Sequence, residues 1–157
     1  MSKRISGLAA VREAREQLSS LDRYVRDSGL DHMLITLVEL RVSQINGCAF
    51  CLSIHTKALR EAGEREDRLA VLAAWRETDW FTDRERAALA WTEAVTTLEH
   101  REVPDAVYQQ ARAQFSEKEL ADLTLAIIAI NGWNRLNVAF HNPPVHFTID
   151  QEAIAAD

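Results

Sequence analysis

An all-α fold is predicted by three observations: apolar residues recur at helical spacing along nearly the whole chain, two Ser/Thr-x-x-Glu capping signatures open apolar runs, and only one short stretch looks extended. At 157 residues the chain has the length of one domain, able to bury about two thirds of its unfolded surface without staples. Residues 1–157 are therefore read as one unit. Leu8, Val11, Leu18, Leu21, Tyr24 and Val25 mark a first helix ending near Gly29. Leu34 to Ile45 is almost continuously apolar and stops at Asn46-Gly47, a dipeptide that breaks or turns the backbone. A new helix follows from Cys48 to Ala62, with Gly63 as its terminator and Asn46 as its expected N-cap. Asp67 to Trp75 fits a short helix. Thr82-Asp83-Arg84-Glu85 opens a helix to about Leu98, Pro104 sits in the first turn of another through Phe115, and Ser116-Glu117-Lys118-Glu119 opens a last one through about Ile130. Val145 to Ile149, after Pro143-Pro144, is expected to be extended.

Setting Ile45-Asn46-Gly47 on Ile130-Asn131-Gly132 superposes LVELRVSQINGC (37–48) on DLTLAIIAINGW (122–133). Apolar positions coincide and both runs are expected to end in a break, which suggests two related helical halves about one core. Their chemistry differs. Cys48, Cys51 and His55 lie opposite Trp133, Leu136 and Phe140.

The formal charge of −6 and the interleaving of 18 Lys and Arg with 24 Asp and Glu argue against a nucleic-acid surface. The N-terminus, MSKRISGLAAVREAREQ, has no apolar signal-peptide core and no run reaches membrane-span length, so a cytoplasmic, thiol-reducing location without membrane contact is expected.

The only two cysteines lie in NGCAFCLSIH, residues 46–55. On a helix, Cys48, Cys51 and His55 fall within roughly 60° of one another about the axis. His55, four residues after Cys51, can take a thiol proton and stabilise the thiolate. Cys48 gains from the first-turn amides and the helix dipole. Such a pair can close a disulfide after one sulfur has been oxidised by peroxide. A thioredoxin-like site would need a preceding strand, and c-type haem attachment would need His at the position of Leu52. A redox couple, a catalytic zinc held by two Cys and one His, and a pair of buried thiols all remain compatible with the spacing.

The run ELRVSQINGCAFCLSIHTKALREAG, 39–63, resembles the core motif of the AhpD-like alkylhydroperoxidases of the carboxymuconolactone decarboxylase superfamily, and IAINGWNRL, 128–136, resembles that superfamily's final core helix. The likeness covers about residues 30–140. It implies an all-α AhpD-like bundle assembling into trimers or hexamers, with thiol peroxidase activity on hydroperoxides, no flavin, haem or metal, and an external thiol or dithiol as electron donor. By motif position Cys51 is the attacking sulfur, Cys48 its disulfide partner and His55 part of a proton relay. Where the best-studied branch has a relay glutamate and a histidine between the cysteines, this chain has Thr36 and Phe50. Glu39, one turn after Thr36, is the expected substitute, with Arg41 or His32 as candidate ion-pair partners. Two other activities fit the same frame: a lactone-processing decarboxylase, which needs no cysteine pair, and a redox-sensing interaction subunit. Trp75, Trp80 and Trp91 are read as core or interface aromatics, and His100, His141 and His146 as surface groups.

Overall fold

The computed structural model describes residue 4 and residues 11–146, and no strand forms among them. Seven α-helices follow one another: α1 Arg12–Arg26, α2 His32–Asn46, α3 Ala49–Glu61, α4 Glu66–Val71, α5 Asp83–Thr97, α6 Asp105–Gln114 and α7 Glu117–Ala139. Short 3₁₀ turns at Leu72–Glu77 and Glu99–Arg101 follow α4 and α5. The two predicted capping boxes are both made: Thr82 and Glu85 at α5, Ser116 and Glu119 at α7, each pair exchanging side-chain and backbone hydrogen bonds. Asp31 caps α2 by accepting the Leu34 N–H at 2.9 Å.

α2 is the central helix, which is why its sequence is apolar on all sides. Ile35, Val38 and Val42 join a core with Val25, Ala87, Ala88, Phe115, Leu123 and Ile127. Leu37 and Leu40 join a second, with Leu59, Leu69, Leu72, Trp75 and Phe81. α2 packs on α7, α3 and α5, while α1 lies on α7. No helix among the described residues is long and apolar enough to cross a membrane.

Several boundaries differ from expectation. The last helix does not stop at Asn131-Gly132; it runs on to Ala139, because Gly132 packs on α1, where a Cβ would meet the Leu18 methyls at 3.4 and 3.5 Å, and Asn131 returns its amide to the Ile127 carbonyl at 2.9 Å. Pro104 precedes α6 instead of sitting inside it. The short helix ends at Val71 and tightens into a 3₁₀ turn. Val145 and His146 carry no regular structure, and the rest of the expected extended stretch, 147–149, lies outside the described residues. Trp75 is buried and Trp80 exposed; Trp91 is half-buried and donates to Thr124 at 3.0 Å.

Candidate functional site: a thiol pair at a helix corner

Gly47 adopts the left-handed conformation (φ 64°, ψ 34°) that ends α2. Its amide donates to the Gln44 carbonyl and the next amide, of Cys48, to that of Ser43 at 3.0 Å, the paired closure of a Schellman motif. Cys48 then serves as N-cap of α3, its Sγ accepting the Cys51 N–H at 3.4 Å. Asn46, the expected cap, turns back instead: its amide donates to Asn131 Oδ1 at 2.9 Å and Asn134 Oδ1 at 3.0 Å. Asn134, fully buried, donates onward to Ser43 Oγ at 3.2 Å. A sealed amide network therefore backs the corner, where unpaired polar groups would be costly.

Both cysteines are free and buried, with their Sγ atoms 2.7 Å apart. The hydrogen bond shared with Cys51 brings the Cys48 thiol down to about 7; burial opposes this, and the first-turn amides of Cys51 and Phe50 assist. The same shared bond, together with burial and the neighbouring negative charge, pushes the Cys51 thiol up. The shared bond thus favours the thiolate on Cys48 and the thiol on Cys51, and the two titrate as one unit.

Glu39 is buried on α2. Its partners are neither Arg41, which pairs with Glu93, nor His32, whose Nε2 meets the Arg26 carbonyl. Arg26 of α1 donates from one guanidinium nitrogen, Nη2, to both carboxylate oxygens at 3.1 and 2.8 Å, and His55 Nδ1 lies 3.2 Å from Oε2. Burial works against ionisation of Glu39, but His55 and Arg26 outweigh it and hold the carboxyl below its ordinary range. A carboxylate can only accept, so Nδ1 carries a proton toward Glu39, and Nε2 is the ring nitrogen that can exchange a proton with the cavity. Nε2 is buried and has no hydrogen-bond partner among the described residues.

That imidazole lines a cavity of about 310 Å³ together with Cys51, Glu39, Asp22, Arg26, Phe50 and Trp133. Asp22 accepts the Trp133 indole N–H at 2.6 Å. Burial, with the Glu39 charge beside it, raises its carboxyl above the ordinary value despite that bond. Cys51 faces the cavity, and Cys48 is not among its lining residues. No group of three or more His, Cys, Asp or Glu among the described residues is placed to hold a metal ion.

Of the four residues expected from the sequence, Cys51, His55 and Glu39 line the cavity and Cys48 reaches it only through Cys51, whereas Thr36 spends its hydroxyl on the His32 carbonyl at 2.8 Å. Sequence reasoning missed Asp22 and Arg26, on a helix placed outside the 30–140 core. Their i, i+4 spacing next to the apolar stripe was the available signal. Asn137, which also lines the cavity, was missed because the last helix was expected to end before it.

The sequence matches the carboxymuconolactone decarboxylase family over residues 9–94. The uncharacterized protein YdfG of Bacillus subtilis (strain 168) is 37% identical over 142 residues, covering 90% of this chain and 97% of YdfG. A crystal structure of an Agrobacterium tumefaciens protein of unknown function, suggested to be the antioxidant defence protein AhpD, aligns with TM-score 0.87 and 42% identity over 92% of this chain and all of that one. The debrominase Bmp8 shares the fold, with TM-score 0.77 at 16% identity over 88% of this chain and 74% of its own.

Proposed function

The chain belongs to the carboxymuconolactone decarboxylase family and has the AhpD-like helical fold, and from that premise we propose that it is a thiol peroxidase. The observation that carries this reading is the sulfur pair itself: two free thiols 2.7 Å apart, one facing a cavity beside a buried imidazole with an unpartnered nitrogen. The Cys51 thiolate attacks the terminal oxygen of a hydroperoxide, the O–O bond breaks, and Cys51 becomes a sulfenic acid. His55 Nε2 takes the proton that the thiol pair gives up and returns it to the departing alkoxide, with Glu39 stabilising the imidazolium between the two events. Cys48 then attacks the sulfenic sulfur, a disulfide forms and water leaves. In sum, one hydroperoxide and two thiols give an alcohol, a disulfide and water. An external thiol or dithiol restores the pair.

Phe50, Ile54, Ile130 and Trp133 line the cavity and favour small organic hydroperoxides. A homo-oligomer, trimer or hexamer, belongs to the same proposal: Ile128 and Val138, half exposed on α7, are apolar side chains that such an assembly would cover.

Mass spectrometry of the reduced protein before and after one equivalent of hydroperoxide tests the reaction. The expected product is the Cys48–Cys51 disulfide. Cys51→Ser abolishes hydroperoxide consumption, and Cys48→Ser leaves a sulfenic acid on Cys51 that a dimedone-type probe traps. Lactone or decarboxylase turnover surviving loss of both cysteines would point to the other branch of the family, and disulfide formation without turnover under a competent reductant would point to a sensor.

A further inference from the structure

The acidic sulfur and the cavity-facing sulfur are different atoms. The bond between the sulfurs favours the thiolate on Cys48, while Cys51 is the sulfur that lines the cavity. For Cys51 to act as nucleophile its proton must cross the 2.7 Å to Cys48, giving a Cys51 thiolate and a Cys48 thiol with no other reactant. Groups that favour this transfer must act on Cys51 and not on Cys48. The Asn134 amide favours ionisation of both sulfurs and so does not discriminate. Asn137 does: its Nδ2 lies 3.4 Å from Cys51 Sγ.

Which end of the Asn137 amide faces the sulfur follows from its other contacts. Nδ2 also bonds the Trp133 carbonyl at 2.9 Å, and a carbonyl can only accept, so the N–H₂ end is on that side. The oxygen end is then held by Asn142, whose Nδ2 donates to Asn137 Oδ1 at 2.7 Å and whose backbone N–H donates to the Asn137 carbonyl at 3.0 Å. Two prolines with restricted φ follow. Next, the Val145 N–H donates to Ser53 Oγ at 2.9 Å, and that hydroxyl donates to the Phe50 carbonyl at 2.7 Å, tying the segment to the first turns of α3. The segment therefore spans from the end of α7 to the helix that carries both thiols. An N–H aimed at sulfur is a stronger partner for thiolate than for thiol.

We propose that Asn137 is the donor that stabilises negative charge on the cavity-facing sulfur of Cys51, and that Asn142 is the positioning residue that holds its amide in that orientation. The proposal rests on the reading of Cys51 as the attacking sulfur. The other ionisable groups at the cavity are His55 on α3, Glu39 on α2, and Asp22 and Arg26 on α1; α7 faces it with Ile130, Trp133 and Asn137, none of which is charged. Asn137 touches the reacting sulfur, whereas Asn142 acts only through Asn137.

The test uses the reduced full chain, substoichiometric iodoacetamide and peptide mapping, read as the ratio of alkylation at Cys51 to that at Cys48 from pH 5 to 9. Asn137→Leu is expected to lower the ratio about tenfold, the scale of one hydrogen bond to a charged group. Asn142→Leu, which keeps the bulk, lowers it about threefold, and Asn142→Gln, which keeps the N–H₂ donor, recovers part of the loss; a packing role alone predicts neither change. Because Asn142 is only half-buried, its variants decide the matter if Asn137→Leu does not fold. An unchanged ratio across the folded variants overturns the proposal. Alkylation consumes no hydroperoxide, so a shifted ratio in a protein without peroxidase turnover supports this assignment while removing the peroxidase reading.

Discussion

Asn46-Gly47 and Asn131-Gly132 are the same dipeptide after the same kind of apolar run, yet one ends its helix and the other lies within a helix seven residues from its end. At Gly47 the chain takes φ 64° with open space around the glycine, and the next residue starts α3. At Gly132 the glycine stays helical against Leu18 of α1. The paired asparagines meet across the two helices, Asn46 donating to Asn131. The difference builds the site. The broken corner turns Cys48 into a helix cap and lowers its thiol, and the unbroken helix extends Trp133, Asn134 and Asn137 as the facing wall. Asn-Gly permits a break; the packing around it decides whether one occurs.

Three substitutions probe that contrast, beyond the cysteine and asparagine tests above. The largest effect is expected at Glu39, the carboxylate that the broken half brings to the site. Glu39→Gln leaves Arg26 and His55 without their anion and costs about 2 kcal/mol at pH 7 by urea unfolding, with the partly exposed guanidinium screened by solvent. The pH dependence has a definite sign. Glu39 is held below its ordinary value, so its ionisation stabilises the fold above the unfolded-state carboxylate range, and that stability is lost as pH falls through its own lower value. Glu39→Gln should flatten this part of the acid limb, and a limb identical to wild type would remove Glu39 from the account.

Gly47→Ala comes next. A Cβ at φ 64° costs about 1 kcal/mol, and the strain falls on the corner that places Cys48, so thiolate absorbance against pH should show a midpoint above the wild-type value near 7. An unmoved midpoint would detach thiol acidity from the corner. Gly132→Ala should do least. The added Cβ meets the Leu18 methyls at ordinary van der Waals distance, 3.4 and 3.5 Å, so the reduced freedom of the unfolded chain should raise thermal stability by about 0.5 kcal/mol and leave the thiols untouched.

Much of this was legible from residue order. Helical periodicity, the capping boxes at Thr82 and Ser116, and the stop at Gly47 are local: each depends on side chains within one or two turns, so the sequence carries them directly. The grouping of Cys51 and His55 is equally local, because positions one turn apart share a helix face wherever that helix sits, and Cys48 meets Cys51 as the cap of the same helix. Glu39 needed an assumption about how α2 lies against α3, and the helix corner supplies that geometry. What only the tertiary structure decided is non-local. Arg26 meets Glu39 and Asp22 meets Trp133 because α1 packs on α7 beside the cavity. α7 continues through Asn131-Gly132 because Leu18 and Asn46 approach it from other helices. Which sulfur is acidic and which faces the cavity also lies beyond the motif, since Asn134 and Asn137 of α7 act on the thiols together with the groups of α3.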